Sequence, residues 1–262
     1  MKNWSNRVME VYRYFLQFED YVFYATTERG KVFETGWFIH NYSISYALNL
    51  ARSHYREEGQ KPSYKRDLTP INEAGIYLTP AQVLDNTRYC INQFNTMDET
   101  FTLTRGKSLG YPAWGFVKMF RPISQKTVIS KPNQFLANAF GYLICQDSLI
   151  TSMERLSNVY DAEVSILPIQ YLRLGKFMAK VKMTLKKATS VNLVNNSKTV
   201  SGMLNWSDLV TKPQLFDLIA SALPTRLLEN GKYLVSTRLL EVKFADDEVI
   251  YLPSDMNYLA AL

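Results

Sequence analysis

Two kinds of side chain alternate strictly between residues 176 and 186, and this is the sharpest pattern in the chain. One set carries four lysines, and the other is entirely apolar: Lys176, Met178, Lys180, Lys182, Thr184 and Lys186 against Phe177, Ala179, Val181, Met183 and Leu185. Because successive side chains of a strand point to opposite faces, the pattern predicts a strand that buries its apolar face and exposes a row of ammonium groups.

The exposed lysine row has two interpretations. A phosphate backbone lying along it would relieve the repulsion between the lysines and release counterions. Alternatively, the lysines protect an edge strand from aggregation, although edge protection usually needs fewer of them. We therefore favour a polyanionic ligand for this row.

Apolar spacing also predicts two helices. Residues 40–53 contain one apolar stripe with the i, i+3, i+4, i+7 spacing of a helix, formed by Ile44, Ala47, Leu48 and Ala51. Tyr42 and Tyr46 fall off this stripe and are expected to face elsewhere. Residues 206–223 form the second predicted helix, with Pro213 near its start. Between these helices, the charged and polar residues of about 52–70 predict a solvated, projecting arm.

Short apolar runs predict the strands. Residues 8–23 are expected to form a strand pair or one long bent strand, followed by a turn at residues 28–31. Further strands are predicted at residues 75–79, 101–103 and 115–120, within 133–150, and as a hairpin of 233–244 with 248–252. Because βα alternation is not regular, we expect a single α+β domain over residues 1–262, built on an antiparallel sheet.

Charge is divided unevenly along the 262 residues, which carry a net charge of +6. Residues 100–146 contain no Asp or Glu but six bases, and residues 164–207 contain none but seven bases. The remainder of the chain is therefore acidic overall. This division predicts one basic surface for a polyanion and other surfaces for protein contacts.

Composition limits the chemistry. Two cysteines and two histidines leave little for a disulfide framework or a zinc site, so a reducing compartment is expected and no metal or other cofactor. We find no targeting segment, no apolar run long enough to span a membrane, and no phosphate-loop or dinucleotide motif. His40 could act as the general base of a metal-independent endoribonuclease. A histidine at the start of a helix, however, more often caps the helix or packs in the core.

Three blocks of sequence resemble the Cas-five subunit of type I-D CRISPR effector complexes, the Csc-one group. The first block includes residues 23–30, Thr35, residues 39–42 and residues 46–48. The other two are residues 72–80 and 171–176. Their order and spacing agree with the family over most of the chain.

The resemblance implies a ferredoxin-like, RRM-type α+β core with an inserted arm and hairpins. It implies a non-catalytic subunit for antiviral defence, in the prokaryotic cytoplasm, that caps the 5′ handle of the CRISPR RNA (crRNA). The implied partners are the crRNA, target DNA near the PAM, and the backbone and large subunits, with no membrane. A separate subunit would cut the precursor RNA. Two alternatives remain: the endoribonuclease, or a protein-only scaffold whose basic face meets an acidic partner.

The resemblance and the charge pattern together give the candidate site. Tyr42 and Tyr46 would stack on splayed bases, as is usual for single-stranded RNA. The expected RNA contacts are His40, Asn41, Tyr42, Tyr46, Lys118, Arg121, Arg173, Lys176, Lys180, Lys182 and Lys186. On the arm, the expected contacts to phosphates or to a neighbouring subunit are Arg52, Arg56, Lys65 and Arg66.

Overall fold

Antiparallel strands make up most of the computed structural model, which describes residues 9–29, 32–53, 63–85, 87–96, 113–122, 137–195, 197–219, 226–234 and 237–260. The strands are β1 (Glu10–Phe18), β2 (Ala25–Arg29), β3 (Val32–Thr35), β4 (Phe38–Ile39), β5 (Ile76–Leu78), β6 (Ala81–Val83), β7 (Tyr89–Thr96), β8 (Ala113–Phe120), β9 (Ala139–Cys145), β10 (Ile169–Leu174), β11 (Ala179–Lys187), β12 (Ser190–Asn195), β13 (Leu204–Asn205), β14 (Leu215–Ile219), β15 (Leu227–Lys232), β16 (Arg238–Lys243) and β17 (Val249–Pro253). The helices are α1 (Asn41–Ala47), α2 (Tyr64–Ala74) and α3 (Leu149–Tyr160), with a short 3₁₀ turn at Trp206–Asp208.

The largest sheet has the strand order β10–β11–β1–β9–β6–β4, and β5 also pairs with β9. Every pairing in it is antiparallel. Strand β1 lies near its centre, where Tyr14 and Leu16 are fully buried. Helices α2 and α3 contact each other and contribute Leu68 and Leu156 to the same apolar core.

The other described strands form three smaller sheets. Their strand orders are β12–β16–β17, β13–β15–β14 and β2–β3–β8–β7, and the β3–β8 pair is parallel. The structure therefore confirms a mixed α+β architecture with antiparallel sheets, as the sequence predicted.

Several predicted strands are confirmed. Strand β1 lies within residues 8–23, β5 within 75–79, β8 covers 115–120, and β9 is the buried strand within 133–150. The alternation at 176–186 is confirmed from Ala179 onward, but residues 175–178 form the turn between β10 and β11. Strands β16 and β17 form the predicted hairpin, although β16 begins at Arg238 rather than at residue 233. The predicted strand at 101–103 lies outside the described residues.

The first predicted helix is shorter than expected. Helix α1 ends at Ala47 rather than at residue 53, and Leu48 is its C-cap. The next residue, Asn49, has a left-handed φ of 58°, a conformation that does not continue a helix. The apolar stripe nevertheless faces inward, because Ile44, Leu48 and Ala51 are buried.

The second predicted helix, over residues 206–223, is wrong. After the 3₁₀ turn the chain forms strand β14, which pairs with β15. Leu215 and Leu218 are exposed rather than buried, so their helical spacing does not mark a core-facing stripe.

The predicted arm at 52–70 is partly wrong. Residues 54–62 lie outside the described residues, but residues 64–70 belong to helix α2. Leu68 and Ile71 are fully buried, and Gly75 ends the helix in the left-handed conformation. Pro70 inside the helix, together with four nearby charged residues, conceals this short amphipathic segment in the sequence.

Candidate nucleic-acid interface

A cationic strip lies on one face of the β10–β11 hairpin. We define it by four residues that the strand register places side by side: Arg173, Lys180, Lys182 and Lys186. Arg173 is the Cα partner of Lys180, and the side chains of Arg173, Lys180 and Lys186 are exposed. Lys182 is partly exposed. The structure thus brings four of the predicted RNA contacts together.

The strip exists because the opposite face of the hairpin is apolar and buried. Val181 and Met183 have no exposed surface, and Leu172 and Leu174 of β10 are also buried. Burying such side chains contributes about 1.5–3 kcal/mol each, which fixes the orientation of the strand. The lysines at alternate positions must then face outward, about 6–7 Å apart along the strand.

Two lysines of the strip, Lys180 and Lys182, keep their charge available. Neither Lys180 nor Lys182 forms an ion pair with any described residue. The Nζ atom of Lys180 lies 4.3 Å from the ring centroid of Tyr171, a contact that orients the ammonium group without neutralising it. By contrast, Lys187 on the other face of β11 pairs with Glu10.

An acidic hairpin tip closes one end of the strip. Arg13 is the Cα partner of Lys186, and its guanidinium lies 2.8 Å from Glu248 and 3.6 Å from Asp246. The same guanidinium lies 4.2 Å from the ring centroid of Phe244, so the β16–β17 tip is held against the sheet. A polyanion on the strip would be repelled by this tip and would run from Lys186 toward Arg173.

The other end of the strip opens into a cleft of about 520 Å³, which we call the hairpin cleft. Arg173 belongs to both the strip and the cleft. The cleft is lined by Tyr24, Ser43, Tyr46, Ala47, Arg173, Leu174, Gly175, Lys176 and Met178. Three predicted RNA contacts, namely Tyr46, Arg173 and Lys176, therefore meet here.

Hydroxyl groups add polar partners to the hairpin cleft. The hydroxyls of Tyr24 and Ser43 are 2.5 Å apart, and the hydroxyl of Tyr46 donates to Asp67. Sequence reasoning did not select Tyr24 or Ser43. Tyr24 does lie within the first block that carries the family resemblance.

Gly175 fixes the geometry of the cleft wall. It has a φ of 75°, and a Cβ atom at this position would lie 2.3 Å from the carbonyl oxygen of Phe23. The next residue, Lys176, donates its backbone N–H to that same carbonyl at 2.8 Å. Only glycine satisfies both the left-handed conformation and the close approach, and so places Lys176 at the cleft.

The start of helix α1 is buried, and this changes the role of three predicted RNA contacts. His40, Asn41 and Tyr42 are only 4%, 0% and 3% exposed. Asn41 Nδ2 and the Tyr42 hydroxyl each donate to the carboxylate of Asp208 at 2.7 Å. This burial supports a structural role for the three side chains rather than direct contact with RNA.

Asp208 is the centre of this buried network. Its carboxylate also accepts the Tyr77 hydroxyl at 3.1 Å and the backbone N–H of Leu259 at 2.9 Å. Burial raises the pKa of Asp208 to about 6, while the hydrogen bonds oppose that rise. The network joins α1, β5, the 3₁₀ turn and the chain near residue 259. No sequence pattern predicted Asp208.

His40 caps helix α1. Its Nδ1 accepts the backbone N–H of Tyr42 at 3.2 Å, and its ring lies edge-on to the Tyr42 ring at 4.6 Å. Burial lowers the pKa of His40 to about 4, so the ring is neutral near pH 7. A buried capping histidine is poorly placed to reach an RNA 2′-hydroxyl, and this geometry does not favour the endoribonuclease alternative.

Lys118 and Arg121 lie away from the strip, at the β8 strand of a different sheet. The Nζ atom of Lys118 lies 4.0 Å from Glu34 and 4.3 Å from the Tyr89 ring centroid. Arg121 is exposed, and its backbone N–H donates to the carbonyl of Arg88. The structure therefore does not join these two residues to the main site.

The predicted arm contacts are dispersed. The guanidinium of Arg52 lies 4.4 Å from the Tyr160 ring centroid, which ties it to helix α3. Lys65 and Arg66 are exposed on α2, where Arg66 pairs with the adjacent Asp67. Arg56 lies outside the described residues.

The described part of the chain shows neither a metal-binding cluster nor a helix that could span a membrane. It holds no group of three or more His, Cys, Asp or Glu residues that could bind a metal ion. It also holds no helix with the length and hydropathy needed to cross a membrane.

Comparison with known protein families matches residues 9–139 and 155–261 to the family described as type I-D CRISPR-associated protein Cas5/Csc1. The matched segments contain the strip, the hairpin cleft and the Asp208 network. The match confirms the family that the three sequence blocks suggested. No curated protein matches the chain significantly.

Proposed function

The chain belongs to the type I-D CRISPR-associated Cas5/Csc1 family, and we propose that it is the subunit that binds the 5′ handle of the crRNA in the effector complex. Family membership itself implies a role in a CRISPR effector complex of the antiviral defence system. The proposal adds a ligand, a surface and a non-catalytic role. In such complexes base pairing by the guide reads the target sequence, while protein subunits read shape and backbone.

One observation carries the proposal: Arg173 belongs both to the cationic strip and to the lining of the hairpin cleft, so the two adjoin. A single strand of RNA needs a row of cations for its phosphates and a recess for a nucleotide that leaves the stack. The strip supplies the first, since Lys180 and Lys182 have no described ion-pair partner. The cleft supplies the second, with Tyr46 and Lys176 in its wall.

A ferredoxin-like core is part of this proposal. Four strands of the large sheet follow the order β11–β1–β9–β5 and are antiparallel. Helix α2 precedes β5 in the chain, and helix α3 follows β9. This order supports the β-α-β-β-α-β arrangement of a ferredoxin-like domain, with further elements inserted.

We further propose that the chain contacts the backbone and large subunits, and that it lies near the PAM of the target DNA. Family membership supports this arrangement. The residues outside the two basic windows are acidic overall, which suits protein partners because a net negative charge repels a nucleic acid.

Charge reversal on the strip tests the RNA-binding proposal. The full chain would be titrated with a labelled single-stranded RNA over a series of salt concentrations, and binding read by fluorescence anisotropy. Four cations on four phosphates predict that log K falls with log salt with a slope of about −3. The variant K180E/K182E/K186E should bind at least about tenfold more weakly and with a shallower slope.

A matched variant controls for the total charge. Lys198, Lys232 and Lys243 are exposed lysines outside the strip, so K198E/K232E/K243E makes the same three charge reversals elsewhere. It should lose much less affinity than the strip variant. Equal losses in the two variants would contradict the proposal. Cleavage of precursor RNA in EDTA that is abolished by His40→Ala would support the endoribonuclease instead.

A further inference from the structure

Tyr171 lies in the middle of the cationic strip, although it was not among the predicted contacts. It is the Cα partner of Lys182, and it lies two residues from Arg173 on the same face of β10. Its ring is 57% exposed, whereas the neighbouring Leu172 on the other face is buried. The fold therefore leaves one large aromatic ring in solvent among the strip cations.

The ring of Tyr171 has a defined orientation. The Nζ atom of Lys180 lies 4.3 Å from its centroid, which is within the range of a cation–π contact. Strand β10 is at the end of the sheet order, so no further strand among the described residues covers this side. A base that extends outward from phosphates held by the lysines would meet the ring at this edge.

We propose that Tyr171 stacks on a nucleobase of single-stranded RNA whose phosphates contact Arg173, Lys180 and Lys182. This inference rests on the proposed RNA-binding function and adds the residue that holds a base. Aromatic rings bind bases of any sequence, because every base has a π-face. Bases inside a duplex are already stacked and paired, so this contact selects single strands over duplexes.

Two substitutions separate the ring from the hydroxyl. Tyr171→Leu removes the aromatic ring and keeps an apolar side chain, whereas Tyr171→Phe removes only the hydroxyl. Phe216→Leu removes a ring that is 37% exposed on β14, outside the large sheet, and serves as the matched control. Thermal unfolding followed by circular dichroism would verify that each variant folds.

The probes are a short single-stranded RNA containing 2-aminopurine and a duplex RNA of equal length. With the full chain, Tyr171→Leu should weaken single-strand binding about tenfold and abolish the quenching of 2-aminopurine fluorescence. Its slope of log K against log salt should not change, because no cation is lost. Tyr171→Phe and Phe216→Leu should bind as the parent does, and duplex binding should be equal in all variants.

The outcomes distinguish this inference from the function on which it rests. If Tyr171→Leu binds and quenches as the parent does, while K180E/K182E/K186E loses binding, the stacking role is overturned and the strip remains. If the parent itself does not bind RNA, both proposals fail. An equal loss of duplex and single-strand affinity in Tyr171→Leu would also overturn the stacking role.

Discussion

At the scale of single residues, burial gives two titratable groups, His40 and Asp208, opposite effects on how the stability of the fold changes with pH. His40 is buried neutral, with a pKa lowered from 6.5 to about 4, so the unfolded chain binds a proton more readily. Asp208 has a pKa raised from 3.8 to about 6, so the folded chain binds a proton more readily. As pH falls from about 6.5 to 4, His40 therefore destabilises the fold while Asp208 stabilises it.

Replacing His40 should separate these two effects. The cap contribution of His40 is present above its unfolded pKa of 6.5 and is lost as pH falls toward about 4. We expect His40→Gln to be less stable than the parent at neutral pH. The difference in unfolding free energy should shrink by about 3 kcal/mol between pH 7 and pH 4.

Urea denaturation of both proteins at a series of pH values measures this difference. Asp208→Asn provides the opposite case. Its carboxylate favours the fold when protonated, below its unfolded pKa of 3.8, and that contribution is lost as pH rises through about 6. If the difference in unfolding free energy between the parent and His40→Gln did not change with pH, His40 would not be a buried neutral group.

At the scale of secondary-structure elements, the sequence predicted those strands whose faces differ most in polarity. Strand β11 alternates lysines with buried apolar residues, so its pattern was unambiguous, whereas β9 is nearly all apolar and was predicted only as a buried strand within residues 133–150. Helix α2 was missed because Pro70 and its charged neighbours obscure the stripe of Leu68 and Ile71. Strand β14 was mistaken for a helix because its leucines have a helix-like spacing. They are exposed, however, so this spacing does not mark a buried face.

The β10–β11 turn depends on Gly175. Gly175→Ala would place a Cβ atom 2.3 Å from the Phe23 carbonyl in a left-handed backbone conformation. We expect a loss of about 2 kcal/mol or more in stability, together with weaker RNA binding, because the cleft wall that holds Lys176 must move. Thermal unfolding and the same anisotropy titration would measure both effects.

Gly231→Ala is the matched control for Gly175→Ala. A Cβ atom at Gly231 would meet its nearest neighbour, Pro213 Cβ, at 3.4 Å, which is an ordinary contact. Its stability should change by less than about 1 kcal/mol. If the two variants were equally stable and bound RNA equally well, Gly175 would have no special role in the turn.

At the scale of the whole molecule, the sequence predicted that the interface carries positive charge, but it did not predict which residues form it. The acid-free window at 164–207 indicated a basic surface, and the structure places its Arg173, Lys180, Lys182 and Lys186 in one strip. Lys118 and Arg121 came from the other window, but Lys118 lies on β8 of another sheet and Arg121 directly follows that strand.

The roles of Asn41 and Tyr42 depend on contacts between residues that are distant in the sequence. Asn41 and Tyr42 contact Asp208, more than 160 residues away in the chain, and no local pattern reports such a pairing. The family match covers these positions. It could not separate residues that face a ligand from residues that hold the fold together.

Crosslinking within the assembled effector complex tests the central claim most directly. The complex would be assembled with crRNA containing 4-thiouridine in its 5′ handle, irradiated, digested and analysed by mass spectrometry. The account predicts that the handle crosslinks to peptides of the β10–β11 hairpin, including Tyr171 and Lys176. Crosslinks confined to other surfaces, such as the β7–β8 strands, with the β10–β11 hairpin unmodified, would contradict it.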